Sequence, residues 1–445
     1  MTKRPTAEYE RRYRKLLRRK DVFTVDAPVY PGLHEEPTFM LSYARVGQRA
    51  GRPTLVILPG GPGLASVLPY AHIRSKAVAA GFEVIMVEHR GVGLSRRSAS
   101  GDDLPVESMR VEYAARDVLV VLDDCGIERA WIHGTSYGGY LAQAVGIIAP
   151  ECVSGMFLDS AMHSARYEEP IREYNRQLFF SGRQGPTEEI AAKMRHVLDS
   201  GIASDDEVTE VVPSVYELCG PRVLSLLLDR LASRRRMEWD FVRKQFNKEL
   251  DDDLNPFFFD FGLAGAIWYR QLVPPIADGK PFDTSKMFAM RAGKFPGFEG
   301  EPYDLGKVVG SFDWPVVLFS GERDTRTPVF VTQEIADLLP RSLHVTFPNT
   351  AHDTLRFRTG AVLAIEAACA RGGIREAEGV AATVVADGKR HPQTMVSGLL
   401  EAYLAAANRL ERELSDHRIP RLVAVAMLSF VFILYVRRWL RRSSA

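Results

Sequence analysis

Gly134-Thr135-Ser136-Tyr137-Gly138-Gly139 constrains this chain more than any other stretch, because one serine stands between glycines directly after the run Arg129-Ala130-Trp131-Ile132-His133. A strand that turns sharply into a helix forces its turn residue into a strained backbone conformation, and only residues without side-chain bulk fit two positions to either side. Gly134 and Gly138 meet that need around Ser136, the pattern of a nucleophile elbow. Tyr140 to Ile148 is apolar on most faces and predicts a buried helix whose dipole points at the serine. A plain strand-to-helix turn is the competing reading of such a short pattern. Further features along the chain weigh against it.

The apolar run Thr54-Leu55-Val56-Ile57-Leu58 predicts a strand buried on both faces, and it ends in Pro59-Gly60-Gly61-Pro62-Gly63. Glycines there let backbone N–H groups approach a substrate oxygen. An oxyanion hole beside an elbow takes one donor from such a loop and one from the residue after the nucleophile, which points to Gly61 and Tyr137. A second buried strand, Phe82 to Val87, runs into Glu88-His89-Arg90-Gly91-Val92-Gly93-Leu94-Ser95. Ser95 is a rival nucleophile on paper, but it lacks the following glycine pair and the apolar helix.

An acid and a base are expected after the serine, in that order. The strand candidate Trp314 to Ser320 is followed by Gly321-Glu322-Arg323-Asp324-Thr325-Arg326-Thr327-Pro328, which makes Asp324 the acid and Glu322 the fallback. Leu343 to Phe347 is a short alternating strand, followed by Pro348-Asn349-Thr350-Ala351-His352-Asp353. His352 lies in a loop just past a strand end, where a base reaches a serine at the carboxyl edge of a sheet. His344, inside the strand, reads as structural.

Together these five motifs resemble the proline iminopeptidase (prolyl aminopeptidase) family of α/β-hydrolase serine peptidases. The resemblance covers roughly residues 36 to 161 and 311 to 370. It implies a mostly parallel α/β sheet, a Ser136–Asp324–His352 triad, and Gly61 and Tyr137 as oxyanion donors. Two departures bear on the subfamily rather than the mechanism: the family has His where this chain has Pro59, and Asp where it has Glu88.

At 445 residues the chain exceeds one α/β-hydrolase core, leaving room for an inserted lid and tails. A net charge of +1 gives no overall basic field for phosphates and argues against a nucleic-acid partner. Cys125, Cys152, Cys219 and Cys369 have no C-x-x-C spacing and read as buried free thiols rather than a metal site or a disulfide framework, and the triad chemistry implies no metal or organic cofactor. The expected organisation is a basic N-terminal extension (1–35), a first core segment (36–161), a helical cap (162–310), a second core segment (311–415) and a C-terminal apolar helix with a basic tail (416–445).

The stretch between the strand ending at Asp159 and the one starting near Pro315 is too long for a simple crossover. Glu188 to Leu198, Arg222 to Leu231 and Trp239 to Leu250 mix charged and apolar residues at helical spacing. Asn255 to Phe261 and Ile267-Trp268-Tyr269 concentrate aromatic rings, which either build the lid's own core or line a pocket over Ser136; Phe258 and Trp268 are the candidates for the second role. An aminopeptidase must also pair a substrate ammonium with a carboxylate. Glu168, Glu169, Asp251, Asp252 and Asp253 are available, Glu168 and Glu169 foremost.

Residues 3 to 20 carry Arg11, Arg12, Arg14, Lys15, Arg18, Arg19 and Lys20 with Tyr9, Tyr13, Leu16 and Leu17 interspersed, which suits either an anionic membrane surface or a frayed, solvated helix. The run has no apolar core of the secretory kind, so no signal peptide is expected. Residues 422 to 436 are uncharged and apolar on every face, flanked by Arg421, Arg437 and Arg438. About 15 residues make roughly 22 Å of helix, short of a 30 Å hydrocarbon core unless flanking arginines snorkel. A membrane anchor is expected there, with a buried C-terminal helix as the other reading and the cytoplasm as the location without an anchor. The sequence leaves the oligomeric state open.

The functional expectation is a serine hydrolase releasing N-terminal residues from short peptides. The alternatives are an esterase or lipase on membrane-derived or xenobiotic esters, and a non-catalytic hydrolase-fold binding protein, which the complete set of competent triad residues disfavours.

Overall fold

The computed structural model describes residues 7–32, 37–182, 187–249, 255–386 and 392–413. Strands β1 (Val22–Pro28), β2 (Thr38–Val46), β3 (Thr54–Leu58), β4 (Glu83–Val87), β5 (Ala130–Thr135), β6 (Val153–Asp159), β7 (Val316–Gly321) and β8 (Ser342–Phe347) form one sheet. Its order is β1-β2-β4-β3-β5-β6-β7-β8, with β1/β2 and β2/β4 antiparallel and all later pairs parallel.

Helices α1 (Ala7–Leu17), α2 (Ala71–Ala79), α3 (Val111–Asp124) and α4 (Tyr137–Ile148) belong to the first half. An inserted layer follows: α5 (Glu168–Arg176), α6 (Glu188–Asp199), α7 (Asp205–Cys219), α8 (Pro221–Ala232), α9 (Met237–Glu249), α10 (Phe261–Ile267), α11 (Lys286–Arg291) and α12 (Leu305–Val308). Then come α13 (Val329–Leu338), α14 (Thr354–Phe357), α15 (Thr359–Gly372), α16 (Ile374–Ala386) and α17 (Pro392–Glu413).

The sheet is covered on both faces, which is why β3 and β4 are wholly buried and, past Thr54 and Glu83 at their starts, apolar. Because strand side chains alternate, Val56 and Leu58 pack on one face with α3, α4 and α13, while Leu55 and Ile57 pack on the other with α2, α15 and α16. The result is an α/β-hydrolase fold, a mostly parallel sheet flanked by helices with a helical insertion.

The insertion has its own core. Met194 of α6, Val208 of α7, Leu224 and Leu228 of α8 and Trp239 of α9 are fully buried together. Helix α7 starts with a capping box, Ser204 and Glu207 each accepting the other's backbone N–H. The stretch 255–260 then runs back onto the glycine loop after β3: Ala65 N–H donates to the Phe258 carbonyl at 3.1 Å, and Asp260 N–H to the Gly63 carbonyl at 2.8 Å.

Two stretches lie elsewhere than their sequence suggested. Strand β1, within the 1–35 extension, is the sheet's edge, held by its antiparallel register with β2. Helix α17, within the expected second core segment, packs on the inserted layer instead. Tyr403 and Leu404 join that layer's core, Tyr403 Oη donates to Glu238 at 2.8 Å, Arg222 pairs with Glu401 at 2.7 Å, and Ser397 Oγ donates to the Cys219 carbonyl at 2.5 Å.

The basic helix α1 is docked rather than frayed. Leu16 is buried against Val22, Leu94 and Phe257, Tyr9 stacks on Phe257 at 4.9 Å, and Glu10 pairs with Arg97 at 2.9 Å. Arg11, Arg14 and Lys15 on the helix and Arg18 just past its end are exposed. Among the described residues no helix is long and apolar enough to cross a membrane. The expected anchor, 422–436, and the carboxylates Asp251, Asp252 and Asp253 lie outside the described residues.

Candidate active site

Ser136 stands between β5 and α4 with φ 55° and ψ −119°, a conformation that costs a non-glycine residue of order 1–3 kcal/mol and persists only where the surroundings enforce it. Its N–H donates to the Asp159 carbonyl at 2.9 Å, while its own carbonyl accepts from Gly139 N–H at 2.9 Å and Met162 N–H at 3.0 Å. The flanking glycines are required by close approach. A Cβ on Gly134 would overlap the Gly138 carbonyl, and one on Gly138 the Leu58 carbonyl. Ser136 is half-buried.

The rival serine is engaged elsewhere. Ser95 is fully buried, and its Oγ accepts the Ser42 N–H at 2.9 Å. It fastens β2 to the loop after β4.

Asp324 and His352 follow the carboxyl ends of β7 and β8, at the sheet edge where Ser136 follows β5. Parallel α/β sheets place their binding crevices at this edge. His352 Nδ1 donates to Asp324 Oδ2 at 2.9 Å. Asp324 Oδ1 accepts the N–H groups of Arg326 and Thr327, each at 2.9 Å. Burial disfavours the carboxylate, but His352 and the donors outweigh that and hold Asp324 below its ordinary range. Burial likewise pulls the imidazole down, and the Asp324 charge and hydrogen bond more than reverse this, so His352 lies above its ordinary value. Glu322, the fallback acid, is exposed and accepts the Asn349 N–H at 2.7 Å. His344 lies in β8, bridging Ser320 Oγ at 2.5 Å and Gln333 at 2.9 Å.

Tyr137 opens α4, so its N–H is among the donors that have no partner within a helix. Its hydroxyl donates to His89 Nε2 at 2.7 Å, because His89 Nδ1–H is spent on the Arg90 carbonyl at 2.6 Å. Gly61, at φ 126°, folds back over Gly63 and Leu64. Gly60 approaches the serine closely: a Cβ built on it would lie 3.2 Å from Ser136 Cβ. The unusual Glu88 ties these loops together, accepting Ser66 N–H at 2.5 Å, Val67 N–H at 3.2 Å and Leu94 N–H at 3.4 Å. Its burial pushes the carboxyl up to about 7.

Asp159 reads in the sequence only as a strand end, yet it has a part in the site. Its carbonyl holds Ser136, and its carboxylate accepts Thr354 N–H at 2.9 Å, Thr354 Oγ1–H at 2.8 Å and Leu355 N–H at 2.8 Å, just past His352. One residue thus ties the serine turn to the histidine loop. Its position at the end of an apolar strand was the available signal, but its partners lie 195 and 196 residues away.

The substrate candidates diverge. Glu168 opens α5, and Asn175, on the same helix face two turns on, donates to the Thr325 carbonyl in the acid loop at 2.9 Å. Burial pushes the Glu168 carboxyl up to about 7, with Arg172 pulling it back. Glu169 is exposed. Phe258 lies on the stretch paired with the glycine loop, under the Arg12 guanidinium at 5.9 Å. Trp268 packs on Phe288 at 5.6 Å. Most of the aromatic cluster stacks on itself, as in Tyr269 on Phe295 at 4.6 Å, which makes it largely lid core. Among the described residues no cluster of three or more His, Cys, Asp or Glu is arranged to hold a metal ion.

Residues 53–194 match the family described as alpha/beta hydrolase fold. A 2-hydroxy-6-oxononadienedioate/2-hydroxy-6-oxononatrienedioate hydrolase of Paraburkholderia phymatum is 36% identical over 110 residues, 24% of this chain and 36% of that protein. Its counterpart in Paraburkholderia xenovorans is 34% identical over 119 residues, 26% of this chain and 38% of that one. The chain thus spans little more than a third of these curated relatives. Among solved structures, the proline iminopeptidase of Mycobacterium smegmatis superposes with a TM-score of 0.51 at 18% identity, covering 81% of this chain and 99% of that one. That likeness is one of fold.

Proposed function

We propose that this chain is a serine hydrolase in which Ser136, His352 and Asp324 act as a triad. The hydrogen bond between His352 Nδ1 and Asp324, at the sheet edge that carries the strained Ser136 turn, supports this reading most directly. With Nδ1–H committed to Asp324, Nε2 is left as the basic nitrogen. It takes the Ser136 proton as Oγ attacks a carbonyl carbon, then gives it to the leaving group, and water hydrolyses the acyl-enzyme. The Gly61 and Tyr137 N–H groups stabilise the tetrahedral oxyanion, with Gly60 keeping the loop close to the serine.

Within that class we propose an aminopeptidase acting on short peptides. The motif resemblance supports it, and so does Glu168, a half-buried residue on the face of α5 that meets the acid loop through Asn175. A substrate ammonium would add to the charge that Arg172 offers this carboxylate. The esterase reading draws on one observation of its own: the stretch pairing with the glycine loop carries Phe258 and Phe259, apolar surface suited to an acyl chain. A hydrolysis panel of aminoacyl amides, their N-acetylated forms and acyl esters separates the two. The apolar run 422–436 is proposed to bring either activity to a membrane.

A further inference from the structure

The residue that follows the proposed acid is held from the inserted layer. Thr325 N–H donates to Glu217 Oε1 at 2.9 Å, Thr325 Oγ1–H donates to the same oxygen at 2.5 Å, and the Thr325 carbonyl accepts from Asn175 Nδ2 at 2.9 Å. Glu217 is on α7 and Asn175 on α5, so the backbone donor, the backbone acceptor and the hydroxyl of Thr325 are all satisfied across the layer boundary. Both residues are 2% exposed. The second carboxylate oxygen of Glu217 faces Arg326 Nε at 3.5 Å, and Arg323, on the other side of Asp324, lies against Gly220 at the end of α7.

Glu217 is a poor choice for its own helix. It lies in the last turn of α7, where the helix dipole disfavours a carboxylate, and it is buried, where an unpaired charge is strongly unfavourable. Both penalties are met by groups of a single loop, Thr325 and Arg326. Thr325 is followed by Arg326 and Thr327, whose N–H groups bind Asp324 Oδ1. A shift at Thr325 therefore moves the donors that aim the acid.

We propose that Glu217, assisted by Asn175, is a positioning residue that fixes Asp324 against His352 from the inserted helical layer. The proposal rests on the triad reading. The charged groups facing His352 are Asp324, Arg326 and Glu217. Asp324 and Glu217 favour the imidazolium and Arg326 opposes it, so losing the Glu217 charge lowers the pH at which the base titrates.

The test uses the full chain carrying Glu217→Ala, Glu217→Gln or Asn175→Ala, with Ser136→Ala as reference. The readouts are kcat, KM, the acidic limb of the pH–rate profile and thermal melting on the best substrate of the hydrolysis panel. Glu217→Ala is expected to lower kcat by roughly 10- to 100-fold, the scale of a misplaced catalytic group, with KM near wild type and the acidic limb moved to lower pH. Glu217→Gln keeps a carbonyl oxygen for both Thr325 donors. It should recover most of the lost kcat and still show the displaced limb. Asn175→Ala should lower kcat in the same direction.

Wild-type kcat and an unmoved limb in a Glu217→Ala protein that melts normally would overturn the proposal. If Glu217→Ala does not fold, the other two variants decide: an unmoved limb in Glu217→Gln with wild-type kcat in Asn175→Ala overturns it, and a moved limb or a lowered kcat supports it. Activity retained in Ser136→Ala would instead remove the triad reading itself, a result distinct from either.

Discussion

His352 Nδ1 lies 2.9 Å from Asp324 Oδ2, across 28 residues of chain and between the ends of two adjacent parallel strands. Asp324 is fully buried while His352 keeps an exposed edge. A buried carboxylate that orders an imidazole reaching toward solvent is the arrangement a general base requires.

Asp324→Asn should leave the fold intact and lower turnover by about 10⁴-fold, because the amide no longer fixes the tautomer with Nε2 free. Glu322→Gln should change turnover little, since that carboxylate is exposed and holds only a loop amide. Steady-state kinetics on both variants check this. A reversal of the two effects would make Glu322 the acid.

The pH dependence follows from the same pair. Catalysis needs neutral His352, whose pKa in the folded protein lies above its ordinary value of 6.5. The rate should therefore rise with pH through a midpoint above 6.5. The pairing contributes stability that is fully present below the unfolded-state pKa and is lost as pH rises through the folded one. In Asp324→Asn the raising charge is gone and burial dominates, so the residual activity should titrate at lower pH. A pH–rate profile of both proteins reads the sign.

Glu168 gives the amine reading its own signature. Its carboxyl, pushed up to about 7, is neutral in mildly acidic solution and charged above. KM for substrates with a free α-amino group should fall as pH rises through 7, while KM for N-acetylated ones should not. Acetylation should slow hydrolysis at least tenfold, as expected from losing a charge-assisted contact of about 1.5–3 kcal/mol. Equal rates on free and acetylated substrates, with faster rates on acyl esters, would favour the esterase.

The sheet from β3 onward was legible because β3 to β7 are short, mainly apolar runs closed by turn residues, as buried parallel strands are, and the half-buried edge strand β8 alternates. Ser136 and the proposed acid and base, Asp324 and His352, each follow one of these strands, which is what made them candidates in the sequence. Strands β1 and β2 were missed: Val22–Pro28 and Thr38–Val46 lie at the antiparallel end of the sheet, where Phe23, Thr24 and Thr38 face solvent and break the apolar pattern. The residues that tie the candidate site's loops together, Asp159, Glu217 and Asn175, were not legible. Each is one polar side chain whose partner lies more than a hundred residues off, and spacing carries no sign of it.

Helix α17 separates two truncations. A chain ending at Ser415 keeps Tyr403, Leu404 and Ser397 against the inserted layer and should remain folded and active. A chain ending at Ala386 removes the partner of the Cys219 carbonyl at the end of α7, close to Glu217, and should lose thermal stability and activity together. The full chain is expected to sediment with membranes and resist a carbonate wash, and the Ser415 form to be released. Melting curves, activity and fractionation of the three forms check this; a fully active Ala386 form would leave α17 without a structural role.

Labelling by a fluorophosphonate tests the central claim most directly, since it reads the nucleophile without knowledge of the substrate. Wild type should be labelled, Ser136→Ala should not, and Ser95→Ala should still be labelled, though less stable for want of the bond to Ser42. Label that persists in Ser136→Ala and disappears in Ser95→Ala would contradict the assignment of Ser136.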